Sequence, residues 1–265
     1  MTSRALLFFF LLPPTGACGP SAQAPLAPSP GRPVLTVLTF NVNYGLRDAP
    51  ENLDAIRDAD ADLVLLQETT PELEAAADRQ LRELYPHQRF RHCCGAGGLG
   101  VLSKHAVEEG PYLESPAGWF PGWWVRVDSP LGRVQALLVH LRPPVSDDGS
   151  WVKGYFTTGD VRRRELAAYL EHRDPELPTL VAGDFNEARG PALELLAAEG
   201  LVDALASFAP GEPTFRWRTS LGTLRFVLDH LFHDEGLRAL DAEVLDSGVS
   251  DHLPVKVCLQ AAVSD

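Results

Sequence analysis

Asn41 closes the run Thr39-Phe40-Asn41-Val42, Glu68 closes Leu65-Leu66-Gln67-Glu68, Asp184 and Asn186 stand in Gly183-Asp184-Phe185-Asn186, and Asp251-His252 lies in Ser250-Asp251-His252-Leu253-Pro254. Each borders an apolar, β-branched stretch of the kind that forms a buried strand, so each acid, amide or imidazole falls at a strand end. Carboxylates and carboxamides are hard oxygen ligands suited to Mg²⁺, Mn²⁺ or Ca²⁺, and a neighbouring Asp-His pair can orient an imidazole toward phosphate. The set points to metal-assisted hydrolysis of a phosphoester.

Taken one by one, the residues support that chemistry to different degrees. Glu68 ends Leu63-Val64-Leu65-Leu66, where an unpaired carboxylate is costly to bury and a cation beside it offsets the cost. Asn41 alone is compatible with a simple turn cap. His140 closes the run Val134 to Val139, and a phosphodiester cleavage needs a donor for the leaving oxygen or for the phosphoryl oxygens. Arg142, two residues on and so on the same side of an extended strand, is positioned to add a phosphate contact. Asp184 and Asn186 flank Phe185, and extended geometry would turn both toward one point, where an acid and an amide can hold an attacking water. Asp229-His230 and Asp251-His252 are the remaining acid-imidazole neighbours; an Asp bonded to an imidazole raises its basicity and fixes its tautomer. A serine hydrolase is excluded by the lack of a Gly-x-Ser-x-Gly elbow. The glycines from Gly95 to Gly100 lack the Gly-Lys-Ser/Thr ending of a phosphate-cradling loop.

The elements that must carry these residues follow from hydrophobic periodicity. Val34 to Val42 and Asp62 to Gln67 are predicted strands, and Pro50 to Asp60 and Pro71 to Leu84 are predicted helices, giving a β-α-β-α opening. Gly98 to Ser103 is a strand entered through a turn. Trp123 to Val127 and Arg133 to His140 form a hairpin about Asp128-Ser129-Pro130-Leu131-Gly132. Thr157 to His172 and Pro191 to Ala198 are helical, Pro178 to Ala182 is a short strand, and Leu224 to Phe232, Ala239 to Leu245 and Leu253 to Leu259 complete the strands. A β-rich half on either side of residue 140 implies two packed sheets with helices outside. Trp119, Phe120, Trp123, Trp124 and Trp151 suit core and hairpin packing better than a substrate rim.

With 265 residues, 45% of them hydrophobic, the chain can build one large domain. Its formal charge of −13 supplies no global field for polyanions, which lowers the prior for nucleic acid without removing it. The N-terminus carries Arg4, an apolar block from Ala5 to Leu12, and Thr15-Gly16-Ala17-Cys18, the pattern of an export leader over residues 1–17 with Cys18 as a lipoprotein-type lipidation site. Residues 18–33, rich in Pro, Ala, Ser and Gly, are expected to be a disordered tether, and 34–265 the folded domain. The expected location is therefore the cell envelope, by a lipid at Cys18, or the exterior, with the protein a monomer. Cys93, Cys94 and Cys258 leave an odd thiol whose pairing the sequence does not fix.

Phe40-Asn41-Val42, Leu66-Gln67-Glu68, Gly100-Val101-Leu102-Ser103-Lys104, Val139-His140-Leu141, Gly183-Asp184-Phe185-Asn186, Leu228-Asp229-His230-Leu231-Phe232 and Ser250-Asp251-His252-Leu253-Pro254-Val255 occur in the order that resembles the endonuclease/exonuclease/phosphatase superfamily. The resemblance runs over about residues 34 to 260 and implies an α/β fold, a four-layer α/β/β/α sandwich with its site at one edge of the two sheets. It implies Mg²⁺ (or Mn²⁺, with Ca²⁺ also compatible) held by Glu68 with Asn41 beside it and Asp251 on the metal side. It further implies Asp184 orienting or deprotonating water, Asn186 as its neighbour, His252 next to the scissile phosphate, Asp229 as the carboxylate partner of His252, and His140 as a second catalytic imidazole. Some members carry an Asp two residues after the first Asn, where this chain has Asn43, which argues against a second acidic metal contact there. The implied activity is a phosphoester, chiefly phosphodiester, hydrolase acting on nucleic acid, a phospholipid headgroup or a small phosphorylated metabolite. A catalytically silent binding module of the same fold would be expected to lack some of these acids, and all of them are present.

Overall fold

The computed structural model describes residues 21–116, 119–150, 153–154, 157–220 and 222–262. One six-stranded sheet has the order β13-β14-β1-β2-β4-β3 and is built from β1 (Leu35–Asn41), β2 (Leu63–Gln67), β3 (His87–Arg91), β4 (Leu99–Ser103), β13 (Leu237–Val244) and β14 (Val255–Ala261). The other has the order β5-β6-β7-β8-β12-β9 and is built from β5 (Val107–Leu113), β6 (Gly122–Ser129), β7 (Gly132–His140), β8 (Thr179–Asp184), β9 (Val202–Asp203) and β12 (Asp229–His233). Each sheet has one parallel pair near its centre, β1 with β2 and β7 with β8, and antiparallel pairs elsewhere. A separate ribbon joins β10 (Phe215–Thr219) to β11 (Gly222–Phe226).

Strand alternation sorts the core into three layers. On β1, Leu35 and Val37 face the opposite sheet, while Leu38 and Phe40 face outward onto α1 (Pro50–Ala59) and α2 (Pro71–Leu81). On β7 and β8, Ala136, Leu138, Leu180 and Ala182 face inward, while Leu137, Val139 and Val181 face α3 (Gly159–Leu170) and α4 (Pro191–Ala198). The short α5 (Ala204–Phe208) adds Leu205 and Phe208 to the space between the sheets. This is the four-layer α/β/β/α sandwich expected from the sequence. The helix starts are locally encoded: Pro50, Pro71 and Pro191 open α1, α2 and α4, and the Thr70 hydroxyl accepts from the Leu73 N–H at 3.1 Å.

Several expectations need correction. The stretch 224–232 is two strands, β11 and β12, because Val227 and Leu228 turn the chain from the ribbon into the second sheet. Strands β3, β5, β9 and β10 were not anticipated; β3 and β5 are largely half-buried edge strands without a clean apolar alternation. Of residues 18–33, expected as a tether, 21–33 are described, with hydrogen bonds from Gln23 N–H to the Ser207 carbonyl (2.9 Å), from Leu26 N–H to the Leu240 carbonyl (2.7 Å) and from Ser29 N–H to Gln260 Oε1 (3.1 Å) and a turn at Pro30-Gly31. The leader and Cys18 lie outside the described residues. Cys93 and Cys94 are disulfide-bonded to each other and Cys258 is free, so no bridge reaches Cys258. Trp123 and Trp124 are core residues, as expected, whereas Trp119 and Phe120 line a cleft; Trp151 is outside the described residues.

Candidate active site

The alternation that fills the space between the sheets with apolar side chains continues into polar residues at one end. Asn41 follows Leu35 and Val37 on the inward face of β1, His140 follows Ala136 and Leu138 on β7, and Asp184 follows Leu180 and Ala182 on β8. Asp229 begins β12 with the parity of inward-facing Leu231, and the register pairs it directly with Asp184, while His140 pairs with Asp184 from the other side. Four strands thus bring four polar side chains to one edge of the sandwich, all at most 3% exposed. Glu68, one residue past β2, joins them from a left-handed φ of 61°. That conformation costs a non-glycine residue on the order of 1–3 kcal/mol and persists where surrounding structure imposes it. Asn43 and Asn186, at φ 59° and 53°, are strained in the same sense on the same rim.

Asp184 Oδ2 is the centre of the arrangement. It accepts from Asn41 Nδ2 at 3.1 Å and lies 3.5 Å from His140 Nε2 and 3.6 Å from His252 Nε2. Asn41 Nδ2 also donates to Glu68 Oε1 at 3.0 Å, and the other Glu68 oxygen accepts from the Tyr44 N–H at 3.0 Å. Burial pushes the Asp184 carboxyl up, with the charge of His252 opposing that rise. His252 Nδ1 is 2.8 Å from Asp229 Oδ2. Burial alone would lower the His252 pKa, but the charges of Asp229 and Asp184 outweigh it and the imidazole is pushed up to about 10. His252 is therefore an imidazolium at neutral pH, donating to Asp229 and offering Nε2–H to the cleft.

His140 is held differently. Its Nδ1 lies 3.0 Å from the Ala96 carbonyl, an acceptor only, so Nδ1 carries a proton and Nε2 is the atom facing Asp184 and Glu68. Phe120 stacks on its ring at 4.4 Å, as Phe215 tilts against His252 at 4.7 Å.

Other expected residues take other places. Asp251 adds its charge to the support of His252 but is not its hydrogen-bond partner: its carboxylate accepts from Asn43 Nδ2 at 2.8 Å at the cleft mouth, so residue 43 is tied to an acid without being one. His230 points to the opposite face from Asp229 and bonds Asp203 (2.8 Å) and the Glu187 carbonyl (3.1 Å) beneath α4. Asn186 does not share a direction with Asp184, because its φ breaks the extended geometry. It donates to the Leu141 carbonyl at 2.9 Å and its N–H to Asp184 Oδ1 at 2.8 Å, which ties the end of β7 to that of β8. Arg142 is turned away from the cleft centre: its guanidinium lies 3.5 Å over the Trp119 ring and donates to the Val145 carbonyl and Asp147 at 3.1 and 2.7 Å. Arg162 and Arg189 line the cleft instead, and the Arg162 guanidinium is bonded to Glu187 at 2.7 Å with both groups buried. Sequence reasoning also missed Thr214, whose buried hydroxyl accepts from the Asp229 N–H at 3.0 Å while its carbonyl accepts from the Leu253 N–H at 2.6 Å, holding both halves of the Asp229–His252 pair. No motif marks a lone buried threonine.

The site fits a divalent cation. The carboxylates of Asp184, Asp229 and Asp251 bear on one imidazolium, Glu68 lies 3.9 Å from His140 Nε2, and Asp229 Oδ1 is buried without a hydrogen-bond partner, a state that costs about 1–3 kcal/mol. Asp184, Asp229 and His252 present ligand atoms within 4.8 Å of one another. A protonated His252 opposes a cation in that group, whereas the Glu68 carboxylate offers hard oxygens without such a charge, with Asn41 bonded to it through Nδ2 while the Asn41 Oδ1 accepts from the Asn43 N–H at 3.1 Å. The cleft above these groups has a volume of about 1260 Å³ and an apolar far wall made by Phe215, Trp217, Phe226 and Leu228.

The profile of the Endonuclease/Exonuclease/phosphatase family matches residues 38–252, and the chain belongs to that family. The fold recurs in an endonuclease/exonuclease/phosphatase from Beutenbergia cavernae DSM 12333, with TM-score 0.68 and 23% identity over 87% of this chain and 72% of that one. It recurs in D. rerio TDP2 complexed with a single-strand DNA product, with TM-score 0.67 and 14% identity over 86% and 99% of the two chains. A third similar structure is ANGEL2, a 2',3'-cyclic phosphatase, in complex with adenosine-2',3'-vanadate, with TM-score 0.64 and 16% identity over 88% and 97%. No curated protein sequence matches this chain.

Proposed function

We propose that the protein is an exported, Mg²⁺-dependent phosphodiester hydrolase in which water attacks phosphorus in line. The observation that carries this reading is the convergence of Asn41, His140 and His252 on one oxygen of Asp184, at 3.1, 3.5 and 3.6 Å. Asp184, made more basic by burial, orients the attacking water and accepts its proton. His252, kept protonated by Asp229, donates through Nε2 to a phosphoryl oxygen as negative charge builds there. His140, with Nδ1 committed to Ala96, directs Nε2 to the same phosphoryl group or to the leaving oxygen. Asn186 keeps the β7 and β8 ends in register, and its role is to position Asp184. Glu68, bonded to Asn41 and lining the same cleft as Asp251, would hold the Mg²⁺ or Mn²⁺ ion, which when bound polarises the phosphoryl group and offsets charge on the leaving oxygen.

A diester is favoured over a monoester because the cleft continues from Tyr44 and Glu68 to Trp217 and Phe226, leaving room for substituents on both sides of a phosphate. The DNA product in the TDP2 structure and the adenosine vanadate in that of ANGEL2 make nucleotide diesters the first substrates to try, ahead of phospholipid headgroups and small phosphorylated metabolites. The test is hydrolysis of bis(p-nitrophenyl) phosphate against p-nitrophenyl phosphate, each with Mg²⁺ and with EDTA. Diester cleavage that EDTA stops is the expected result. Absence of turnover on either substrate would overturn the reading and favour a binding module.

Export is supported by the Arg4-to-Cys18 pattern and by the Cys93–Cys94 disulfide, since such bonds persist in oxidising compartments. Cys18→Ser should move a monomeric protein from the membrane to the soluble fraction, and unchanged fractionation would count against the lipid anchor.

A further inference from the structure

The disulfide between Cys93 and Cys94 sits in a loop that reaches the proposed active site by three routes. Cys94 and Gly95 turn the chain through left-handed φ values of 38° and 71°. Cys94 Sγ then lies so close over Gly97 that a Cβ there would be 2.8 Å from the sulfur and 3.1 Å from the Phe120 ring. The loop ends at Gly98, where a Cβ would be 2.0 Å from the Thr69 carbonyl and whose own carbonyl accepts from the Thr69 N–H at 3.1 Å, one residue beyond Glu68. Between these anchors the Ala96 carbonyl accepts the Nδ1–H of His140 at 3.0 Å. Cys94 Sγ is also 3.5 Å from the Trp119 carbonyl, and the next residue, Phe120, stacks on His140. The carbonyl that bonds His140 and the ring that stacks on it thus both lie beside the Cys93–Cys94 pair, Ala96 two residues along the chain and Phe120 next to the Trp119 carbonyl that Cys94 Sγ approaches.

We infer that Cys93–Cys94 is a thiol-reactive site whose oxidised state positions His140, and that a dithiol reductant switches this positioning off; the inference rests on His140 belonging to the catalytic machinery. Cys94 is exposed and Cys93 half-buried, and the pair lines a second cavity of about 410 Å³ beside Arg47, Thr70 and His92, which gives a reductant a route to the sulfurs. A thiolate of the dithiol attacks one sulfur and forms a mixed disulfide as the Cys93–Cys94 bond breaks. The second thiol of the reagent closes onto the first, so the protein gains two electrons and two protons as two thiols and the reagent leaves as its disulfide. Unbonded sulfurs must then separate to van der Waals distance, about 3.5–4 Å. A sulfur that moves toward Gly97 or Trp119 presses on the backbone beside Ala96 and Phe120, the two residues that touch His140.

The test uses the full chain with Mg²⁺ and the diester substrate, before and after dithiothreitol, with disulfide content followed by intact mass and thiol labelling. Reduction should lower kcat by on the order of tenfold with little change in KM, and reoxidation should restore it. The Cys93→Ser/Cys94→Ser double variant should stay at the low kcat and ignore the reagent, and the residual rate of His140→Ala should also ignore it. An unchanged kcat after demonstrated reduction, or a His140→Ala variant that still loses rate on reduction, would overturn the proposal. Independently of turnover, the ¹⁵N signals of the His140 ring should change on reduction, marking loss of the fixed Nδ1–H tautomer. Unchanged ring signals sink the inference even if the protein is no hydrolase, and changed signals with no turnover in any state would sink the proposed function alone. Reduction of the wild-type chain keeps the test valid should the serine double variant not fold.

Discussion

The two imidazoles that face Asp184 are supported in opposite ways. His252 is held by a carboxylate, Asp229, itself anchored by Thr214; burial works against the ring's proton, but the charges of Asp229 and Asp184 outweigh it and push the imidazole up to about 10. His140 is held by a neutral carbonyl from the glycine-rich loop that joins β3 to β4. Both rings lie against a phenylalanine, Phe215 or Phe120, and both Nε2 atoms approach the same oxygen to within 0.1 Å of each other, 3.5 against 3.6 Å. The geometry is nearly matched while the electrostatics are not. A carboxylate partner fixes charge as well as direction, whereas a carbonyl fixes direction only. One half of the site is therefore held through charge, and the other through a neutral hydrogen bond.

This contrast can be broken by substitution, and the largest effect should come from the residue that serves both halves. Glu68→Ala removes the carboxylate that stands between Asn41 and the proposed cation, and metal-stimulated turnover should fall to the EDTA background while the far-UV circular dichroism is unchanged. Mg²⁺-stimulated activity surviving in this variant would take Glu68 out of the site. His252→Ala should cost on the order of 10²-fold in kcat with a smaller change in KM, because a standing cation acts mainly as charge builds on the phosphoryl group. Asp229→Asn should cost on the order of tenfold through the same ring, and the double variant should be little worse than His252→Ala alone. Multiplicative losses in steady-state kinetics would mean that Asp229 does not act through His252.

Much of this site was legible because period-two alternation in β1, β7 and β8 is strict, so a polar residue two positions beyond an inward-facing Leu, Val or Ala has to face inward as well. Asn41, His140 and Asp184 could be assigned to a common edge for that reason. The rule fails where the chain leaves the strand. Asn186, with φ 53°, turns its amide to Leu141 instead of following Asp184, and Arg142, two residues past His140, folds over Trp119 instead of toward phosphate. Pairing across the sheet was less accessible still. Adjacency suggests Asp251 with His252 and Asp229 with His230, yet antiparallel pairing of β12 with β8 turns His230 to the outer face and leaves Asp229 for His252. The vicinal disulfide was open to view as two adjacent cysteines, but its contact with the site depends on a loop path that no local pattern encodes.

The smallest effect, and the one that isolates charge from catalysis, is on stability. His252 rises from its ordinary 6.5 to about 10 on folding, so the folded protein holds this proton more tightly than the unfolded chain. Its contribution to stability is complete below pH 6.5, shrinks as pH rises through the interval, and is gone above about pH 10. Asp184, raised by burial, tilts stability in the same direction from its ordinary 3.8 upward, and His230, raised by Asp203 against the effect of burial, adds a further slope. The wild-type Tm alone is therefore not diagnostic, and the comparison is with His252→Gln, which retains a side chain of similar reach but cannot take the proton. In EDTA, the Tm of the wild type should fall more steeply between pH 7 and 9.5 than that of the variant, with about 2–4 °C expected for each kcal/mol of the lost term in a domain of this size. Parallel Tm profiles would mean that the ring is not a standing cation, and the contrast between the two histidines would then reduce to their hydrogen-bond partners.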